Sequence, residues 1–224
     1  MRSPAELGFR PAESFAGRQF VRALHALPEA MVIVRDANGT LLESNEAYAR
    51  FAGQPLDELL GKQAGVGMKT PQSKPFIFKH LQPVFTQNME ATHWMLIDGR
   101  RHLGRAWPLL AEEWGTTGYA AVIIPTNRAN ADIPAGLMTE HSLGPLESLS
   151  PTELAVLYHF SRGLSRAQIA QQMTRSEHTV HEHFKGIHAK MSISRQQDLA
   201  ALVAELGLRG FTPQQWKLLT GAPV

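Results

Sequence analysis

Apolar positions recur every three or four residues through the last third of the chain. Through the first half they alternate, or cluster in short β-branched runs. Over residues 149–208 the period and the cap residues predict four short helices in a row. Ser150-Pro151-Thr152-Glu153 is a capping box with proline at the first helical position. Leu154, Leu157 and Phe160 follow on one face, and Gly163 ends the helix. Ser165 and Gln168 form a second box ahead of Ile169 and Met173, and Thr174-Arg175 make a short turn. Ser176 caps a third helix whose apolar stripe, Val180, Phe184, Ile187 and Met191, is spaced 4, 3 and 4. Ser194-Arg195-Gln196-Gln197 caps a fourth that runs to Gly207 with Leu199, Leu202, Val203 and Leu206 inside. Two helices of this length on a tight turn, braced by their neighbours, predict a helix-turn-helix.

The first half reads differently. Residues 1–12 have no period and are expected to be loose. Phe15, Phe20, Val21, Leu24 and Leu27 stand among Arg18 and Arg22, which predicts an amphipathic helix over 14–27, ended by Pro28. Such a helix docks on its own domain or forms a dimer, and the pattern leaves both open. Residues 31–35 are a strand by β-branched content, 36–39 a hairpin turn and 40–43 the returning strand. Short helices are predicted over 45–53 and 55–61, loop over 63–75, and a helix over 76–87. Strands at 92–97 and 101–110 flank the tight turn Asp98-Gly99, and 118–124 is the last and most apolar. Residues 126–147, polar and broken by proline and glycine, read as a linker. Thr212 caps one more helix carrying Trp216, Leu218 and Leu219.

The third helix of the C-terminal set has a second stripe. His178, His181, Lys185 and His188 are spaced 3, 4 and 3, away from the apolar positions, and are expected to face outward. A helix with one buried face and one face of hydrogen-bonding groups suits the major groove of DNA. Charge supports this. Residues 149–224 hold eight Lys/Arg against five acids, while the preceding 148 hold 14 against 15, so the small net charge of +2 sits with the helical half. An excess this modest favours a dimer reading two half-sites.

Residues 149–195 resemble the DNA-binding domain of the LuxR family of bacterial transcription regulators. The likeness is carried by L-S-P-T-E-L-A-V-L, then G-L-S-R-A-Q-I-A-Q-Q-M, then S-E-H-T-V-H-E-H-F-K-G-I-H-A-K-M-S-I-S-R. The family usually has a second Glu where Ala155 stands and a Lys where His181 stands. The resemblance implies that His178, His181 and Lys185 face bases. It also puts Arg166, Arg175, Ser176, Thr179 and Lys190 near phosphates or beside them, and makes His183 mainly structural. Residues 24–126 resemble a PAS domain through L-P-E-A-M-V-I-V-R-D-A-N-G-T-L-L-E-S-N-E-A-Y-A-R-F-A-G, L-D-E-L-L-G-K and G-Y-A-A-V-I-I-P-T-N. It departs most over 63–110. That likeness implies a five-stranded antiparallel sheet with helices over one face, and a ligand held in the middle of the domain.

Possible pocket residues there are Met68, Phe76, Phe78, His80, His93, Trp94 and Trp107. PAS relatives bind haem, flavin or small metabolites, and many bind nothing known. His80 is a possible axial haem ligand, set against an ordinary exposed helix histidine, and the aromatics suit core as well as cofactor. The chain has no cysteine, which excludes disulfides, thiolate metal sites and cysteinyl–flavin chemistry. The histidines of the third helix lack a matching third and fourth ligand for zinc. No phosphate loop follows a strand and no G-x-S-x-G occurs, so an enzyme is not expected. No signal peptide and no membrane span are read from the chain.

The expected architecture is an α+β PAS-like sensor domain followed by an all-α four-helix LuxR-type helix-turn-helix domain. Its parts are a tail and flanking helix (1–23), the sensor (24–126), a linker (127–147), the helix-turn-helix domain (148–208, motif 166–185) and a final helix (209–224). The expected function is a cytoplasmic regulator that binds double-stranded promoter DNA as a homodimer, in reach of RNA polymerase. A haem- or flavin-dependent redox or gas sensor, and an interaction adaptor that binds DNA weakly, stand as alternatives.

Overall fold

A computed structural model of the chain describes residues 3–12, 15–63, 80–127, 133–139 and 141–224. It divides into two compact units. One comprises Met1–Met95, His102–Pro125 and Pro134–Glu140, the other Leu96–Arg101, Thr126–Ile133 and His141–Val224. Phe76, Met68 and Phe78 lie outside the described residues, as do 76–79 of the helix expected over 76–87.

The first unit is built on an antiparallel sheet. Its strands are β1 (Phe9–Pro11), β2 (Met31–Asp36), β3 (Leu41–Ser44), β4 (Met89–Ile97), β5 (Arg100–Pro108), β6 (Gly118–Pro125) and β7 (Gly136–Leu137). Their order is β1-β4-β5-β6-β2-β3, with β7 on β4. The five strands expected are present. The two short additions come from stretches expected to be loose tail and linker. Neither has an apolar period, because each spends only two or three residues on the edge of β4: β1 antiparallel (Phe9↔Ala91), β7 parallel (His93↔Gly136). Glycine makes both approaches possible. A Cβ at Gly8 would run into the carbonyl of Thr92, and one at Gly136 into the carbonyl of Leu7.

The β2–β3 turn closes on Asp36, whose Oδ1 accepts from the amides of Asn38 (2.9 Å) and Thr40 (2.8 Å). Asn45 then caps α2 (Glu46–Ala52), accepting from Tyr48 N at 3.2 Å and from Val32 N at 3.1 Å. One side chain thereby starts the helix and ties it to the strand.

Because paired residues share a face, the sheet has two distinct sides. Val32, Val34, Trp107, Ala120 and Val122 form one, covered by Val21 of α1 (Arg18–His25) and Trp114 of α5 (Ala111–Trp114). Tyr119, Ala121, Ala106 and Ala91 form the other, packed with Val84 of α4 (Gln82–Thr86), Leu81 and Phe9. Helices therefore cover both faces rather than the one expected. A short helix, α3 (Leu56–Leu59), precedes the undescribed stretch. Helix α1 is shorter than the 14–27 expected and docks through its start: Trp114 Nε1 donates to Ala16 O (2.8 Å) and Arg18 N to Glu113 Oε2 (2.7 Å). Phe15, Phe20 and Leu27 stay exposed.

In the second unit the helices are α6 (Pro151–Ser161), α7 (Arg166–Gln172), α8 (Glu177–Lys190), α9 (Gln196–Leu206) and α10 (Pro213–Thr220). Three capping boxes close as read from the sequence, on Ser150/Glu153, Ser165/Gln168 and Thr212/Gln215. The fourth does not. Arg195, not Ser194, takes the cap position of α9 and uses no side-chain cap bond; its guanidinium instead pairs with Asp198 at 2.9 Å. Val180, Phe184 and Ile187 of α8 are buried with Leu154, Leu157, Ile169, Leu199 and Val203. Helix α6 is buried around most of its girth because α7, α8, α9 and α10 all pack against it. Trp216 of α10 is fully buried and stacks on Tyr158 of α6 at 5.5 Å. The last helix thus belongs to the helical core.

Candidate nucleic-acid interface and sensor cavity

The turn between α7 and α8 is short because Thr174 takes a left-handed conformation (φ 53°). Arg175 N then donates back to Ala170 O at 2.9 Å. Ser176 opens α8 by accepting from Thr179 N at 3.1 Å, and its hydroxyl lies 2.8 Å from that of Thr179. The cap occupies both hydroxyls. Arg175, Ser176 and His178 are exposed at this end, while Thr179 is half-buried. Arg166, exposed at the start of α7, holds its guanidinium over the Phe184 ring at 5.4 Å.

At about 100° per residue, the buried stripe of α8 has its opposite direction between His178 and Glu182. Burial agrees: His178, Glu182, Lys185 and Ala189 are exposed, whereas His181 and His188 are half-buried. The outward stripe therefore runs 178, 182, 185, 189, and differs from the 178, 181, 185, 188 expected. His188 is turned inward, its Nδ1 at 2.8 Å from Ile193 O and its Nε2 at 3.3 Å from Gln196 Oε1, where it ties α8 to the start of α9. His181 lies on the flank, with Nδ1 buried. Glu182 belongs to the outward stripe by its angle from the apolar positions, which residue type alone does not signal. Its Oε1 accepts from Lys185 Nζ at 2.8 Å. That bond first, with the smaller charges of Lys185, His178 and His181, outweighs the opposing desolvation and holds the carboxyl below its ordinary value.

Lys190, expected beside a phosphate, donates to Glu153 Oε2 at 2.6 Å. Glu153 is buried and its Oε2 also accepts from Ser150 N at 2.7 Å. Burial pushes the carboxyl up, but the bonds from Lys190 and Ser150 outweigh it and leave it below its ordinary value of 4.5. This ammonium braces α8 on α6.

In the sheet unit, Ile33, His93, Met95, Tyr119, Ile123 and Met138 line a cavity of about 40 Å³, the room of one or a few waters. Two of the aromatics expected there are elsewhere. Trp107 alternates with Ala106 and so faces the opposite side, where it meets Phe20 edge-on at 5.1 Å. Trp94 alternates with His93 and Met95 and is likewise turned away from the cavity. His80 is half-buried, with Nε2 at 3.0 Å from His93 Nε2. The same His93 nitrogen lies 2.7 Å from Leu7 O. Since a carbonyl only accepts, His93 carries its proton on Nε2 and donates it there, and His80 Nε2 faces it as an acceptor. Burial, then the charge of His80, lowers His93 to about 4, against the pull of the Leu7 carbonyl. Tyr119 is pushed up to about 12 by burial, against the charge of Arg35. Among the described residues no cluster of three or more His, Asp or Glu is placed to hold a metal ion. No helix among them is long and apolar enough to cross a membrane.

Comparison with known proteins bears on both units. A family model described as bacterial regulatory proteins, luxR family, matches residues 147–203, and one described as the PAS fold matches 18–94. No curated protein matches. Among solved structures, one reported as a complex of Vibrio cholerae VqmA with ligand and DNA is 16% identical and has a TM-score of 0.47, covering 90% of this chain and 92% of its own. VqmA bound to DPO is 17% identical, with a TM-score of 0.43 and the same coverage. The PAS domain of Bordetella pertussis BvgS is 19% identical, with a TM-score of 0.40 over 51% of this chain and 88% of its own. The family models carry the assignment: residues 18–94 are a PAS fold and residues 147–203 a regulatory domain of the bacterial luxR family.

Proposed function

We propose that this chain is a cytoplasmic transcription regulator that binds promoter DNA as a homodimer, its PAS unit biasing how the two DNA-binding units are presented. The observation that carries this reading is the outward stripe of α8. His178, Glu182 and Lys185 are hydrogen-bonding groups with no part in the core, on a helix whose opposite side is buried. Arg166 and Arg175 stand exposed beside it, where phosphates flank a helix lying in the groove. Dimerisation supplies the second half-site that one modestly charged unit requires, and the exposed Phe15, Phe20 and Leu27 around α1 offer apolar surface for it. The sensor reading rests on the cavity beside His93 and Tyr119. No observation favours haem at His80, whose ring nitrogen meets His93 instead.

Fluorescence anisotropy with duplexes from the region upstream of the gene tests the proposal. Wild-type binding is expected to weaken steeply as salt rises from 50 to 200 mM, as counterion release requires. His178→Ala with Lys185→Ala is expected to lower affinity at least about tenfold, each contact to a base being worth about 1–3 kcal/mol. Affinity unchanged in that double variant removes α8 from the interface.

A further inference from the structure

Glu182 sits at the centre of the outward face, and among the described residues its carboxylate meets Lys185 of the same face. It is exposed, lies mid-helix away from any cap, and accepts from that lysine one turn further along. A carboxylate there weakens attraction to phosphates, so as mere surface charge it works against binding. As a reader of bases it has a use. In the major groove a carboxylate accepts from the N4 amino group of cytosine, and a lysine donates to O6 and N7 of guanine.

The geometry adds a constraint. Within a C·G pair the N4 donor and the O6 acceptor are hydrogen-bonded to each other, so they stand about 3 Å apart. The Lys185 Nζ and Glu182 Oε1 stand 2.8 Å apart. We propose that the Glu182–Lys185 ion pair reads one C·G pair in each half-site as a unit, Glu182 accepting from cytosine N4 and Lys185 donating to guanine O6. The four groups then form a closed ring of alternating donors and acceptors. A T·A or a G·C pair in that place reverses the order, turning a carbonyl, thymine O4 or guanine O6, toward the carboxylate and an amino group toward Lys185. An A·T pair keeps the order but sets adenine N7, an acceptor, beside the carboxylate and the thymine methyl where guanine N7 would accept from Lys185. The carboxylate thus converts a lysine that accepts guanine in either strand into a pair that fixes its orientation.

This inference rests on α8 being the DNA-reading helix, and the test separates the two. Full-length wild type and Glu182→Gln are each used to select binders from a pool of random duplex DNA, and affinities are then measured on the selected site and on every single-pair substitution. For wild type, one C·G pair per half-site is expected to be fixed, its replacement by T·A costing roughly tenfold or more. Glutamine donates as well as accepts and also pairs with adenine N6 and N7, so Glu182→Gln is expected to relax that position toward A·T while the other positions keep their preferences. Those retained preferences also report that the variant is folded. If wild type selects a site and Glu182→Gln selects the same one with the same penalties, the ion pair is surface charge alone and the inference falls while the DNA-binding reading stands. If wild type enriches no sequence at all, both fall.

Discussion

Glu153 shows how much of the helical unit rests on single atoms. Its carboxylate starts α6 through Ser150 N and holds the end of α8 through Lys190. Its folded pKa lies below the unfolded one, so its contribution is fully present above pH 4.5 and is lost as pH falls through the lower folded value. Glu153→Gln keeps an acceptor for Ser150 but gives Lys190 no charge to meet. At pH 7 it is expected to destabilise the helical unit by about 1.5 kcal/mol, the usual cost of a hydrogen bond to a charged group, read as a lowered midpoint in urea. The difference between variant and wild type should shrink on acidification below pH 4.5. A gap independent of pH would mean that the ion pair contributes nothing. Capping boxes of this kind are local, three residues apart, and the sequence shows them. Lys190 stands 37 residues from Glu153, and nothing in the chain announces their contact. Lys190 therefore reads from the sequence as free for phosphate.

Between elements, the close packing of α8 on α6 depends on Gly186. A Cβ there would lie 2.5 Å from Glu153 Oε1. The carboxylate cannot swing aside without releasing Ser150 or Lys190. Alanine raises helix propensity by about 1 kcal/mol over glycine, and overpacking of this kind costs about 1–3 kcal/mol. Gly186→Ala is expected to lower the melting temperature in the wild-type chain and to raise it in a Glu153→Ala background. Equal effects in both backgrounds would show that the two residues are not coupled. The period of α8 located its buried face through Val180, Phe184 and Ile187, while Met191, read as its last member, follows the helix end and is half-buried. The outward face of α8 is the direction opposite to that stripe, and residue type misleads: imidazoles drew attention to His181 and His188, whose places on the helix turn them toward α9 and the flank. The loose reading of residues 1–12 and of the linker failed at the same scale. An edge strand of two or three residues has no room for a period, and its existence depends on a partner, β4, about 80 residues away for β1.

For the whole molecule, the two units respond to acid through different groups. His93 is depressed to about 4, so unfolding the sheet unit takes up a proton at any pH between about 6.5 and 4, and its stability falls through that window by up to about 1.4 kcal/mol per pH unit. The helical unit loses the contribution of Glu153 only below 4.5, and burial, then the charge of Arg162, lowers His159 there as well. Calorimetry at pH 7, 5.5 and 4.5 is expected to show the transition of the sheet unit moving down further than that of the helical unit. In His93→Phe that shift should shrink, His80 beside it being lowered by burial as well; an undiminished shift would place the titrating group elsewhere. What the sequence by itself determined was most of what neighbours within a turn or two govern: three of the four capping boxes, the glycine stops, the buried stripes and the alternation of the strands, and hence an α+β sheet ahead of a helix-turn-helix. Only the tertiary structure decided which polar groups are spoken for. Whether Lys190, His188, His80 or Trp107 is available to a ligand depends on what distant segments bring against it, because a hydrogen bond or a packed face is made in space, and a linear pattern records only one of its two partners.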